Sequence, residues 1–178
     1  MRWVYAAILG LCACSSQMDP PDAVPDQSSR AAPVIYVAAP KLGVAATLRK
    51  VGQNGAVTTW RSADGVQLSY RDGLLVATRG LGHDMMTADV SPLRTAIARG
   101  GGSYERRISR LTGAFALDFV NWRCQLRKTD ARDYRETCKS PAGRFENSYR
   151  VDGAGRVIGS RQWVSEPVGA LVTGARAR

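Results

Sequence analysis

Cys14 is the residue best placed for covalent chemistry. It ends the stretch Leu11-Cys12-Ala13-Cys14, which follows Arg2 and an apolar run from Trp3 to Ala13. Attachment of diacylglycerol needs a thiol, because the bond formed is a thioether. Processing also needs a small residue just before the cysteine and an aliphatic residue three places before it. Cys14 meets both conditions with Ala13 and Leu11, whereas Cys12 has bulky Leu11 before it. The apolar run is shorter than the ~20 residues of a membrane-spanning helix. Residues 1–13 are therefore expected to be an export signal removed ahead of a lipid-bearing Cys14. An ordinary cleaved secretory signal is the competing interpretation. Each buried methylene of such a lipid adds ~0.8 kcal/mol of membrane affinity, so a multiply acylated N-terminus anchors stably. Ser15 and Ser16 follow Cys14, where the sorting rule of Gram-negative lipoproteins would place Asp for inner-membrane retention. The expected location is the outer membrane, lipid-anchored and facing the periplasm.

Two further cysteines, Cys124 and Cys138, remain. In an oxidising compartment an isolated pair is most simply a disulfide. It would close a loop of ~15 residues and stabilise by roughly 3 kcal/mol in the chain-entropy model. A zinc site is the alternative. It is poorly supplied with ligands, because His83 is the single histidine and no CxxC spacing occurs. No metal and no cofactor are expected.

Catalytic patterns are absent from the sequence: there is no HExxH, GxSxG or P-loop. His83 adjoins Asp84, but neighbouring side chains usually diverge, so a loop histidine or a binding-loop contact is expected rather than a catalytic pair. Carboxylate pairs such as those of glycoside hydrolases need two acids brought face to face. Asp84 with Asp89, or Asp130 with Asp133 and Glu136, are near in sequence only. Surface charge explains them equally well, and no catalytic residue is assigned.

Charge says more. The chain has net charge +10, and 21 of its 25 basic residues are Arg. Loss of Arg2 with the signal leaves +9. Asp19, Asp22 and Asp26 against Arg30 give the segment after Cys14 a charge of −2, so the remainder carries +11. Such a domain attracts acidic partners. Nucleic acid is the usual one, but export argues against it and for anionic glycans or lipid head groups. Arg161 and Trp163 alternate onto one face of a predicted strand, where an aromatic ring beside Arg suits a sugar with acidic groups. A strand Trp is also commonly a core residue. The cluster Arg106, Arg107 and Arg110 has the same two interpretations, a contact surface or a solvated face. Arg79, His83, Arg161 and Trp163 are the candidate contacts to a glycan or partner.

The elements that must position these residues are mostly strands. Residues 14–33, rich in Pro, Ser and Asp, lack aliphatic periodicity and suit a flexible tether. One β-rich domain is expected over 34–173, with a frayed tail at 174–178. Asn54-Gly55, Asp64-Gly65 and Asp72-Gly73 are strong hairpin signals, because type I′ turns need positive φ. Alternation predicts strands near 45–51, 56–61, 66–70 and 74–79. Ser91 as N-cap, Pro92 and the triple glycine 100–102 frame one short helix near 92–99. Strands are then expected from Tyr104 to Leu111, over Asp118 to Leu126, and from Asp130 to Lys139. Further strands follow around 145–151, 157–164 and 168–172. This places Cys124 and Cys138 on adjacent strands. The fold class is all-β, an antiparallel meander forming a sandwich or a partly closed barrel.

Two stretches carry a resemblance. They are TTWRSADGVQLSYRDGLLVATRGLGHDMMTADVSPL at 58–93 and SRQWVSEPVGAL at 160–171. With the cysteine motif at 11–14 they resemble the YjbF/GfcB family of group 4 capsule polysaccharide lipoproteins. The shared order is a DG turn, the strand-to-loop segment Ala77 to Gly82, and the strand Gln162-Trp163-Val164. The resemblance spans about Val34 to Val172. It implies a mainly β, outer-membrane-associated lipoprotein of exopolysaccharide or capsule production and export. It supplies no catalytic residues and does not speak to the 124/138 pair. The expected role is a non-enzymatic accessory factor that holds an anionic polymer near an exporter. The alternatives are a scaffold for other secretion proteins and, third, a carbohydrate-active enzyme.

Overall fold

The computed structural model describes residues 33–111 and 117–174. Cys14, the segments flanking it and the tail after Gly174 lie outside the described residues. Strand β1 is Val34–Ala39, followed by a 3-10 turn at Pro40–Leu42. The next strands are β2 (Val44–Asn54), β3 (Val57–Arg61), β4 (Gln67–Arg71), β5 (Leu74–Arg79) and β6 (Met85–Ala88). Helix α1 spans Ser91–Ala98. It is followed by β7 (Gly101–Leu111), β8 (Leu117–Lys128), β9 (Asp133–Ser140), β10 (Gly143–Val151), β11 (Val157–Ser165) and β12 (Gly169–Gly174).

All twelve strands join one antiparallel sheet in the order β5-β4-β3-β2-β1-β12-β11-β10-β9-β8-β7-β6. The sheet curls until it is nearly closed into a barrel. Its two edge strands, β5 and β6, are consecutive in the chain. Asp84 holds the loop between them, accepting hydrogen bonds from Thr78 Oγ1 at 2.8 Å, Gly80 N at 2.9 Å and Leu81 N at 3.1 Å. Edge strand β5 is also tied to β11. The Gln162 side chain accepts from Leu75 N at 2.9 Å and donates to Gly73 O at 3.0 Å. These bonds satisfy edge backbone groups that would otherwise lie buried and unpaired.

Alternation builds the interior. Trp122, Cys124 and Leu126 point inward from β8, while Arg123 and Arg127 point out. Leu48, Leu68, Leu75, Met85, Ile108, Trp122, Phe145 and Leu171 form the main core. A second cluster packs Leu93, Ala96 and Ile97 of α1 against Leu126, Tyr134, Tyr149 and Val151. Burying each of these larger side chains contributes about 1.5–3 kcal/mol.

Local signals explain most turns. Asp72 and Gly73 both take positive φ, 52° and 80°, as a type I′ hairpin demands. A Cβ on Gly73 would meet Val157 O at 2.2 Å, so the approach of β11 also requires glycine there. The sequence misplaces two details. The β2–β3 hairpin turns on Gly55-Ala56, with Asn54 still paired to Val57. Ser91 is the first helical residue rather than the cap; Val90 takes the cap position, and Asp89 Oδ1 accepts from Ser91 N at 3.0 Å. The carboxylate two residues upstream does the capping that the Ser91 hydroxyl was expected to do.

Cys124 and Cys138 are directly opposed on β8 and β9 and joined by a disulfide. Their separation of 14 residues sets the size of the closed loop. Replacing both by Ala is expected to lower unfolding free energy by about 3 kcal/mol in urea titrations, and a loss under ~1 kcal/mol would contradict the loop-closure account.

Candidate functional site

The outer face of β7–β10 presents cations in rows. Residues paired across antiparallel strands lie on the same face, with strands ~4.8 Å apart. One row runs Glu105, Arg123, Lys139, Arg144 across the four strands. Another runs Arg127, Arg135, Ser148, Arg161 from β8 to β11. Between them lie Ser103, Gln125, Thr137 and Glu146. The two basic rows are four residues apart, roughly 13 Å along the strands. A shallow concavity of about 890 Å³ lies over this face, bordered by Arg123, Arg127, Arg135, Lys139 and Arg144, with Glu105 as its one carboxylate.

These cations are poorly neutralised. Arg123 reaches Glu105 only at 3.9 Å, and both are exposed. Arg144 bonds Glu146 at 2.6 Å. Among the described residues, Arg127, Arg135 and Lys139 make no salt bridge. Arg127 and Arg135 face one another directly, as do Arg123 and Lys139. Like charges in that position destabilise a sheet by up to about 1 kcal/mol per pair. The field is felt locally. The Arg144 hydrogen bond, with Arg135 and Arg161 nearby, holds the Glu146 carboxyl below its ordinary value.

Beneath that face the interior is polar where an ordinary barrel would be aliphatic. Glu136, fully enclosed, accepts from Tyr104 OH at 2.5 Å, Tyr149 OH at 2.6 Å and Asn147 Nδ2 at 2.6 Å. Arg106 Nη1 adds an ion pair at 3.3 Å. Burial pushes the Tyr104 and Tyr149 phenols up, and the Glu136 charge pushes them further. For Arg106, burial pulls down, but Glu136 and the two phenols more than offset it, and the net shift is upward. Asn147 Oδ1 also accepts from Trp163 N at 2.6 Å. The network thus joins β7, β9, β10 and β11.

The four candidate contacts separate. Arg161 lies on the outer face, where its partner Ser148 also pairs with Arg135, and so extends the basic row. Trp163 does not share that face, contrary to the alternation. The β10–β11 ladder ends at Arg161, the β11–β12 ladder is bulged between Trp163 and Ser165, and Asn147 replaces the missing backbone partner. The indole turns inward, stacking on Phe145 at 4.5 Å and meeting Trp122 edge-on at 5.7 Å. Arg110 covers it at 4.3 Å, a cation–π contact, and burial pulls that guanidinium down while Asp118 opposes. Arg79 is exposed at the end of β5, and the His83 carbonyl accepts from Ser165 Oγ at 3.0 Å. The 80–84 loop and the end of β11 therefore meet, away from the basic rows.

The arginine cluster also splits: Arg106 enters the network, Arg107 bonds Asn121 Oδ1 outside at 3.2 Å, and Arg110 sits on Trp163. The proximal carboxylates do not converge. Asp84 and Asp89 hold local backbone, and Asp133 pairs with Arg150 at 2.8 Å. Asp133 and Glu136 are three residues apart on β9 and so face opposite ways. Cys124, Cys138 and Glu136 lie close enough to suggest a metal cluster, but both sulfurs are engaged in the disulfide. The basic rows went unnoticed in the sequence, although Arg-x-Gln-x-Arg at 123–127 and Arg-x-Thr-x-Lys at 135–139 show the period-2 signal.

Residues 23–173 match the family described as group 4 capsule polysaccharide lipoprotein gfcB, YjbF. Among solved structures, the chain is similar to the crystal structure of the hypothetical lipoprotein YmcC from Escherichia coli K12. The TM-score is 0.65 and the identity 20%, covering 79% of this chain and 81% of that one. At that identity the likeness concerns the fold. No curated protein matches. Among the described residues no helix is long and apolar enough to cross a membrane.

Replacing Glu136 by Gln leaves the Arg106 charge buried without its carboxylate. The expected loss is about 3–5 kcal/mol of unfolding free energy. Replacing Arg106 and Glu136 together by Leu is expected to cost less than the two single changes summed. A Glu136→Gln chain within ~1 kcal/mol of the parent would contradict the network's role.

Proposed function

Because the chain belongs to the YjbF family of group 4 capsule polysaccharide lipoproteins, we propose that it is a non-enzymatic accessory factor of capsule or exopolysaccharide export. In this reading lipid on Cys14 anchors it to the outer membrane, facing the periplasm, and its basic face holds anionic polymer. The carrying observation is the pair of cation rows on β8 and β9, where Arg127, Arg135 and Lys139 make no salt bridge among the described residues. A polyanion supplies what the sheet withholds. It can lie across the strands and meet a cation on each of β8, β9 and β10 along the row Arg123, Lys139, Arg144, which a compact acidic protein surface matches less well. The acidic side chains weighed as catalytic are held in structural bonds, which favours binding over hydrolysis.

Binding of this kind is electrostatic and salt-sensitive. The purified chain is expected to be retained on immobilised alginate near 0.1 M salt and released near 1 M, where the Debye length shortens from ~10 to ~3 Å. The triple variant Arg127→Ala/Arg135→Ala/Lys139→Ala is expected to bind at least about tenfold more weakly with unchanged or slightly higher stability, because a like-charge pair is removed. Retention by the variant equal to that of the parent sinks the proposal. Co-purification with an outer-membrane protein, without any alginate retention, points instead to a scaffold. The anchor has its own measurement: radioactive palmitate is expected to label the parent chain and not Cys14→Ala, and label persisting in the variant refutes lipidation there.

A further inference from the structure

The two basic rows do not merge into a uniform cationic patch, because a polar line runs between them. On β8 the outward residues are Arg123, Gln125 and Arg127, and on β9 Lys139, Thr137 and Arg135. Ser103 of β7 pairs with Gln125, and Glu146 of β10 with Thr137. One line, Ser103, Gln125, Thr137, Glu146, therefore crosses all four strands. It lies about 7 Å from each basic row, two residues along the strand. Gln125 and Thr137 are half-buried, while Arg123, Arg127, Arg135 and Lys139 beside them are exposed. The concavity thus has a polar floor between cationic walls. Ser103 Oγ donates to Gln125 Oε1 at 2.6 Å and fixes that amide in the floor. Glu146 closes the floor and accepts from Arg144 Nη2 at 2.6 Å, a bond that uses one end of the guanidinium fork.

Three features of this trough define its occupant. The first is direction. The floor runs across the strands, so its groups and the flanking cations recur every ~4.8 Å. A 1,4-linked pyranose chain advances by about one such spacing per residue. The second is sidedness. Strands β8 and β9 each carry a cation on both walls, and β10 carries Arg144 on one. In an extended two-fold ribbon successive sugars turn over, so their acidic groups emerge on alternate sides. With an acid on every residue, consecutive acids meet Arg123 on β8, Arg135 on β9 and Arg144 on β10. An acid on every second residue keeps to one side of the ribbon and uses one wall alone. The third is chemistry. Four of the five flanking cations are Arg, whose planar fork matches a carboxylate. Hydroxyls and an amide in the floor suit the ring hydroxyls of a sugar, which donate and accept. A bilayer surface is too broad to enter a concavity of about 890 Å³.

We propose that the trough takes a polysaccharide ribbon with an acidic group on every residue, laid across β7–β10 with its ring hydroxyls on Gln125 and Thr137. This rests on the glycan-holding reading of the basic face, and adds to it a charge spacing, a direction and two specificity-determining residues. Gln125 and Thr137 bear no charge, so their contribution to binding is not screened by salt.

The test uses the full chain in phosphatidylcholine nanodiscs and two oligosaccharides. A β-1,4-mannuronate hexamer is charged on every residue, and a hyaluronan dodecasaccharide, of the same total charge, on every second one. Calorimetry near 0.1 M salt is expected to show mannuronate binding at least about tenfold more tightly. Thr137→Val is expected to raise the mannuronate Kd about 3–10-fold. It is expected to leave the unfolding midpoint and the slope of log Kd against log salt unchanged. Arg135→Ala is expected to flatten that slope, because one fewer counterion is released. Hyaluronan binding as tightly as mannuronate overturns the proposal, as does a Thr137→Val chain that matches the parent in affinity. If the two oligosaccharides bind alike while alginate retention still depends on Arg127, Arg135 and Lys139, this assignment falls and the basic-face reading stands. If the parent chain is not retained on alginate at all, both fall.

Discussion

Glu136 must be met by four side chains at once, and much of the barrel follows from that requirement. A carboxylate with no exposed surface is tolerated only when its oxygens are fully engaged. Its donors come from two strands that are not its own, Tyr104 and Arg106 on β7 and Asn147 and Tyr149 on β10. Strand β8 lies between β7 and β9, so the Tyr104 and Arg106 side chains must span it from inside. That is feasible only if the sheet curls. The network therefore favours one curvature and one register over slipped alternatives, a role best attested for buried polar groups that set register.

A fixed register has consequences on the opposite face. Alternation places every residue next to an inward one on the outside, so the pairing that aligns Cys124 with Cys138 also aligns Arg123 with Lys139. Two strands further on, the alignment of Arg135 with Ser148 and Ser148 with Arg161 extends the second row. The basic rows are the outward image of the interior packing. Like charges set face to face weaken the sheet slightly, and the disulfide and the buried network offset this from within.

The barrel's ladders are not continuous. Strands β10 and β11 part company after Arg161. That gap admits Trp163 to the core, where Phe145, Trp122 and Arg110 enclose it. It depends on where a ladder stops, which the alternation along β11 does not announce.

Much of this architecture was legible in the chain. Alternation located most strands, and turn and capping residues located the Asp72-Gly73 hairpin and the single helix, because each depends on residues close together in the chain. The same alternation put Cys124 and Cys138 on adjacent strands. Strands β1 and β6 escaped notice, since Val34–Ala39 lacks polar alternation and Met85–Ala88 is four residues long. Tertiary structure alone decided that Glu136 is enclosed while Asp133 is not, that Trp163 turns inward while Arg161 stays outside, and that six cations from four strands share one face. Period-2 patterning states which residues share a side of one strand. Which side is enclosed, and which strands lie opposite, depends on how twelve strands curl together.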